Sequence, residues 1–314
     1  MSSVKQVALK PSLAAHVRKE WKLYSFLLIP IAYFIIFKYL PMLGNVIAFR
    51  KYRGGPNIFG TEWVGLRYFQ MFMKDPAFWR AFYNNIFLSV TYLIFRFPIT
   101  LIFALLLNEL RNMRVKKLVQ TVSYLPHFIS MVIVAGMIKE IVSLNGPINT
   151  LLSHLGMEKI QFIMLPEWFP TIYITSGIWQ GLGWGTILYL AAMTGINTEL
   201  YEAASIDGAS RFRKAWHVTI PGILPTIMTL LVLDIGGIMG SNFEKVLLLY
   251  NPLTYETADV ISTYVYRMGI GGKEGIGGNF SFATAVGLFD GVIGLILVSL
   301  ANFVSKKTTK TSLW

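Results

Sequence analysis

The sequence predicts an all-α, polytopic membrane protein, and three observations carry that prediction. Of 314 residues, 54% are hydrophobic and only 14% are charged, which is too apolar for a soluble domain of this size. The apolar residues gather into six runs, each near the ~20 residues needed to cross a hydrocarbon core. Lysine and arginine are shared unevenly between the loops that separate those runs. A chain in lipid must satisfy its own backbone hydrogen bonds, so each run is expected to be a helix.

The elements follow in order. Residues 1–22 form a basic segment with Lys5, Lys10, Arg18, Lys19 and Lys22, suited to an anionic inner leaflet. The first run, 23–43, is longer than a signal-peptide core and lacks a small-residue cleavage site, so it is read as a retained span. Residues 44–81 read as an external loop whose Trp63 and Tyr68 suit the membrane interface. The second run, 82–107, carries Arg96 beside Pro98. The third, 118–139, has Pro126 near its start, which invites a kink. The fourth, 171–194, has Gly177, Gly181 and Gly185 on one helical face. The fifth, 221–249, would be ~43 Å long as one helix. That exceeds a ~30 Å core, so it must tilt, kink or project. Gly236, Gly237 and Gly240 lie midway along it, and Asn242, Glu244 and Lys245 follow, which suggests a hydrated cavity. A short helix is expected over 258–268, then a glycine-rich loop over 269–278. The sixth run, 282–304, contains Asp290. Residues 23–304 thus form one transmembrane domain, and 305–314 are a tail.

Charge orients the chain. The N-terminus, the 108–117 and 195–219 loops and the C-terminus hold 15 basic and 5 acidic residues, against 11 and 9 on the other side. This puts both termini and the 195–219 loop on the cytoplasmic side. In a soluble protein a net charge of +12 would point to nucleic acid; here the distribution across loops accounts for it, and no nucleic-acid partner is expected. Cysteine is absent, so disulfides and thiol chemistry are excluded. The four histidines, 16, 127, 154 and 217, lack metal-ligand spacing. Gly271-Gly272-Lys273-Glu274 lacks the spacing and hydroxyl of a phosphate-binding loop. No catalytic residue, metal or resident cofactor is therefore expected, and the chain is not expected to be an enzyme.

A polar island interrupts the apolar pattern at 195–220. It predicts a helix over 198–206, a turn at Asp207-Gly208 and a second helix over 210–218. Ala203 and Ala204 let another surface approach closely, and Arg211, Arg213 and Lys214 make a basic face. Glu202, Ala203, Ala204 and Gly208, followed at matching spacing by Val218, Ile220 and Pro221, resemble the EAA loop of ABC-importer permeases. Tyr124-Leu125-Pro126, the Trp-x-Gly of the fourth run and Asn242-Phe243 with Leu248–Pro252 extend the likeness across about 80–304. It runs to the type I carbohydrate group that includes maltose and alginate transporters. The 251–267 run resembles the subgroup for oligosaccharides and polysaccharide fragments.

The resemblance implies a type I permease fold that lies in the inner membrane of a bacterial cell. It implies that Glu202, Ala203, Ala204, Asp207, Gly208 and Arg211 form the coupling contact with an ATPase. It implies a sugar path lined by His127, Gly177, Gln180, Gly181, Trp184 and Asn242. It places Tyr250, Asn251, Pro252, Thr254 and Tyr255 against an extracytoplasmic solute-binding protein. The expected partners are a second homologous permease chain in a heterodimer, two ABC ATPase subunits that hold the ATP and magnesium, that binding protein, the saccharide and the bilayer. Read as residues alone, the glycine stripe equally serves helix packing, and His127 reads first as a satisfied core histidine rather than a ligand. Arg96 and Asp234 are expected to pair or to touch solute. His127, Lys245 and Arg267 would together suit an acidic sugar such as a uronate oligomer. A non-sugar ABC permease, for a polyamine or phosphate ester, and a secondary transporter are the alternatives.

Overall fold

The computed structural model describes residues 19–52, 55–240, 242–269 and 279–309. The basic segment up to Arg18, the 270–278 part of the glycine-rich loop and the tail from Lys310 lie outside the described residues. Helix α1 (Trp21–Phe49) passes through a π-turn at Ile35–Tyr39 and a 3-10 turn from Leu43. It is apolar all round, and none of Trp21–Met42 is buried against its own chain. Such a helix belongs in hydrocarbon or against another chain. A two-residue hairpin then pairs β1 (Arg50–Lys51) with β2 (Glu62–Trp63), Arg50 opposite Trp63. Helix α2 (Arg67–Met73) follows, so 44–81 is built of short elements rather than one loop.

Helix α3 (Pro76–Glu109) is the spine, ~51 Å long. Asp75 caps it by accepting from the Ala77 N–H (2.9 Å), and Pro76 at its first position needs no partner for a missing N–H. Pro98 sits inside without breaking it. The third predicted span is not one straight helix. Helix α4 (Met113–Tyr124) ends in a 3-10 turn, Leu125–Phe128, and α5 (Met131–Ile141) departs at 102°. Pro126, with the Ser130 cap of α5, makes the bend sharper than a kink. After α6 (Pro147–His154), helix α7 (Phe169–Thr194) returns across the layer against α3.

The fifth predicted span is also broken. Helices α8 (Thr198–Ile206) and α9 (Arg211–Gly222) form a hairpin, and α10 (Leu224–Gly236) leaves α9 at 67°. Helix α10 then stops, and α11 (Phe243–Leu249) begins beyond the glycines. A break within a span frees carbonyls that lipid cannot satisfy. Asn85 of α3 answers two of them, its Nδ2 donating to the carbonyls of Ile238 and Met239, both at 3.3 Å. Helices α12 (Tyr255–Ala258) and α13 (Ile261–Gly269) replace the single helix expected over 258–268. Helix α14 (Phe280–Thr309) packs along α10 and α13.

Helices α1, α3 and α14 are each long and apolar enough to cross a bilayer, and the pairs α4–α5 and α9–α10 are so taken together. Helix α7, 26 residues long, covers the expected fourth span, 171–194. The core lies along α3 in three clusters. Phe72, Phe78, Tyr264 and Phe282 fill one end, Leu88, Val134, Ile138 and Val246 the middle, and Ala104, Tyr189, Met193 and Ile223 the other end.

Candidate functional site

Midway along the bundle, α3, α7, the α4–α5 bend and the start of α11 enclose a cavity of about 500 Å³. All six residues expected along the sugar path line it: His127, Gly177, Gln180, Gly181, Trp184 and Asn242. The bend after α4 carries His127 to Trp184, where the two rings stack at 4.4 Å and 5°. Phe128 meets the same indole edge-on, at 5.6 Å. Trp184 stays 45% exposed, so part of a flat aromatic face is open to the cavity. The Gln180 side chain makes no hydrogen bond among the described residues, which leaves its amide available on the wall. Asn242 caps α11, its Oδ1 accepting from the Lys245 N–H (3.1 Å), so its Nδ2 is the part free to donate.

The glycine stripe of α7 has two uses. A Cβ on Gly177 would stand 2.8 Å from the Tyr92 ring and 3.0 Å from Lys245 Nζ, so this glycine makes room inside the cavity. A Cβ on Gly185 would stand 2.8 Å from Thr100 Cγ2, so that glycine sets the approach of α3 to α7. Gly183, off the stripe, faces α4, and a Cβ there would overlap the Ser123 carbonyl.

Sequence reading misses Tyr92 and Tyr173 as wall residues. Tyr92 lies one turn before Arg96, and Tyr173 one turn before Gly177; that i, i+4 spacing is the signal that points to them. The Tyr92 hydroxyl donates to the Gly177 carbonyl at 3.3 Å. Arg267 stands outside the cavity. From α13 it holds Asp259 with two bonds, of 2.9 and 2.6 Å, so its charge is already matched. That pairing pushes its guanidinium pKa up.

Arg96 and Asp234 do pair, at 3.2 Å, joining α3 to α10. The pair stands on the wall of a second cavity, about 340 Å³, that shares Arg96 and Trp184 with the first. Both side chains are partly buried, 29% and 23% exposed, so removing one partner leaves a desolvated charge. Asp234→Asn is expected to destabilise the purified protein by about 1.5–3 kcal/mol, the range for a hydrogen bond to a charged group. Arg96→Gln should do the same, and the double variant should lose less than the sum. Thermal unfolding of the four proteins measures this, and strictly additive losses would rule out coupling. Asp290, by contrast, faces neither cavity, and its Oδ1 is buried with no hydrogen-bond partner among the described residues.

Beyond the C-terminal end of α7, the α8–α9 hairpin projects. Asn197 caps α8, Ser210 caps α9, and Gly208 turns between them at φ +73°, with the Ala209 N–H donating to the Ala204 carbonyl (2.8 Å). Tyr201–Thr219 (2.9 Å) and Lys214–Ser205 (2.7 Å) tie the two helices together. Arg211 reaches Glu109 at the end of α3 (3.9 Å), which puts the 108–117 loop at the same end as the hairpin. Second helix and break differ slightly from expectation: α9 runs on through Pro221 to Gly222. Glu202, Ala203, Asp207, Gly208 and Arg211 are exposed, and Ala204 is half-buried. None of α8 is buried. Ile206, Phe212 and Trp216 extend this face as large exposed apolar side chains that the EAA pattern does not include.

Near the opposite end of α7, residues 250–255 form a tight turn. Asn251 and Thr254 close a capping box, and Asn251 Nδ2 donates to the Ile163 carbonyl (2.8 Å). Thr254 is buried, Tyr250 and Tyr255 are half-buried with rings 5.0 Å apart, and Pro252 and Leu253 are exposed. Asn251 and Thr254 therefore shape the turn, and Pro252 with Leu253 is what it presents.

Residues 61–310 match the family described as binding-protein-dependent transport system inner membrane components. The chain is 45% identical over 286 residues to the polygalacturonan/rhamnogalacturonan transport system permease protein YteP of Bacillus subtilis (strain 168), covering 91% of this chain and 88% of that one. It is 42% identical to a chain in the crystal structure of a bacterial ABC transporter involved in the import of the acidic polysaccharide alginate, with a TM-score of 0.85 over 95% of this chain and 100% of that one. A second structure, of bacterial alginate ABC transporter in complex with alginate pentasaccharide-bound periplasmic protein, is matched at 42% identity and a TM-score of 0.86, over 96% and 100%.

Proposed function

Because the chain belongs to the family of binding-protein-dependent transport system inner membrane components, we propose that it is one of two permease chains in an ATP-driven importer of oligosaccharides or polysaccharide fragments, uronate-containing ones included. The observation that carries the saccharide is the composition of the central cavity. Stacked His127 and Trp184 offer a flat face suited to a sugar ring, and Gln180 and Asn242 offer amides for its hydroxyls. The relatives named for polygalacturonan and alginate support the same substrate class.

The mechanism follows from the layout. A binding protein outside the cell delivers the saccharide near Tyr250, Asn251, Pro252, Thr254 and Tyr255. Two separate ATPases grip the hairpins of the two permease chains through Glu202, Ala203, Ala204, Asp207, Gly208 and Arg211. ATP binding favours one arrangement of the bundles by a differential free energy, and hydrolysis releases it. A lever must not bend as it moves, and the Tyr201–Thr219 and Lys214–Ser205 ties keep this one stiff. The charge bias between loops supports a topology with both termini and the hairpin in the cytoplasm.

ATP-driven uptake into proteoliposomes tests the reading. The complete transporter, with its second permease, ATPase and binding protein, is offered labelled oligogalacturonates, neutral maltooligosaccharides and putrescine. Uptake of a saccharide and not of putrescine is expected. Transport of putrescine alone would replace the saccharide reading with a polyamine one.

A further inference from the structure

One charge in the central cavity has no counterpart. Lys245, on α11, is 3% exposed. Its Nζ donates to the Tyr173 carbonyl (2.7 Å) and lies 4.8 Å from the centre of the Tyr173 ring. Both partners are neutral, and among the described residues no carboxylate lies within 4.0 Å. A buried ammonium with only neutral partners lacks the counter-ion that ordinarily compensates for lost hydration. The side chain nonetheless lines the cavity, with Gly177 opposite leaving the space it occupies.

The other charges facing this space do not supply what Lys245 lacks. Asp234 lies on the second cavity and is bound by Arg96. Glu244, next in the chain, lines the same cavity but is exposed, so water screens it while the lysine is shielded. His127 adds a second nitrogen-bearing side chain on the facing wall, already stacked on Trp184. The cavity therefore carries a desolvated lysine without a counter-ion, a flat aromatic face and free amides within one volume of about 500 Å³.

We propose that Lys245 is the residue by which this cavity selects sugars that bear a carboxylate, its ammonium taking the substrate's carboxylate as the counter-ion that the chain does not provide. This rests on the saccharide reading above and adds to it the residue that distinguishes an acidic sugar from a neutral one. The carboxylate of a uronate sits on the same ring that would stack on Trp184, so one residue of the substrate can use both contacts.

The test compares trigalacturonate with its carboxyl-reduced, neutral counterpart. Each is radiolabelled, and its direct binding to the complete transporter in nanodiscs is measured without the binding protein, so that the latter's own selectivity does not enter. Lys245→Gln keeps a donor for the Tyr173 carbonyl but removes the charge. It should weaken trigalacturonate at least about tenfold while the neutral trisaccharide changes less than about threefold. Lys245→Arg, which restores the charge, should recover most of the preference. Gly177→Ala displaces the ammonium without discharging it and should also weaken the acid more than the neutral sugar, which covers the case in which Lys245→Gln does not assemble. Equal losses for the two sugars, or an undiminished preference for the acid in Lys245→Gln, overturn the assignment of Lys245 while leaving the saccharide reading intact. A wild-type transporter that binds both sugars equally also overturns it. Binding of neither by the wild type removes the saccharide reading and this one with it.

Discussion

Gly183→Ala is expected to destabilise this chain strongly for a change of one methyl group. The reason is geometric. On α7 the residue faces α4, and a Cβ there would overlap the carbonyl carbon and oxygen of Ser123, which is backbone. A side-chain end can rotate away, but a carbonyl inside a helix moves only if the helix moves. Overpacking a close contact ordinarily costs about 1–3 kcal/mol, and this one has no soft neighbour to absorb it, so the upper end is expected. The consequence reaches function because α4 leads into the bend that carries His127 to Trp184. Pushing α4 from α7 separates the two rings. Gly177→Ala provides the control: its new methyl would meet only the Tyr92 ring and the Lys245 ammonium, both at side-chain ends. Thermal unfolding of the purified transporter should therefore show a clear loss of stability for Gly183→Ala and a small one for Gly177→Ala. Two variants that melt together would show that α4 shifts without cost.

The contrast between these glycines also shows how far a sequence reaches. The period of Gly177, Gly181 and Gly185 is visible in the chain, and it marks the face of α7 that meets α3 and the cavity. Gly183 breaks that period, and its importance comes from a helix 60 residues earlier in the chain. The same distinction separates the hairpin from the broken spans. The α8–α9 hairpin is legible because its caps and its turn are local: Asn197, Gly208 and Ser210 act within a few residues of themselves. The break after α10 is half legible. Its glycines and polar residues announce an interruption, but the group that makes it tolerable in lipid, Asn85, lies on α3, and hydropathy reads it as an ordinary polar residue at a helix end. Arg267 reads from the sequence as a free cation, and only the structure shows that Asp259, fully buried eight residues before it, consumes the charge. The residues of the cavity were legible as types suited to sugar, but their convergence depends on the 102° bend, which proline signals without giving its angle.

Glu202→Lys is expected to abolish most transport and to leave the chain's own stability unchanged, and the two halves of that expectation must be read together. Glu202 is exposed on α8, and among the described residues its side chain makes no hydrogen bond and no ion pair. Surface substitutions of this kind usually fall within about 0.5 kcal/mol for folding. The hairpin's own ties, Tyr201 to Thr219 and Lys214 to Ser205, do not involve it. Any large effect must then arise where the hairpin meets another protein. Reversing a charge at such a contact opposes whatever the partner presents to a carboxylate, and like-charge juxtaposition at an interface costs several kcal/mol. Since about 1.4 kcal/mol is a factor of ten, uptake should fall at least tenfold. The exposed Ile206, Phe212 and Trp216 on the same hairpin should hold part of the contact, so some ATPase can remain associated even when movement is no longer transmitted. Uptake into proteoliposomes, ATP hydrolysis by the same preparation and its melting curve separate these outcomes. Lost uptake with an unshifted melting curve supports the hairpin as the lever. Unchanged uptake would mean that Glu202 lies outside the contact, and the coupling role would have to move to the apolar face beside it. A lowered melting temperature with lost uptake would instead make Glu202 part of the chain's own fold, against its exposure and its lack of partners.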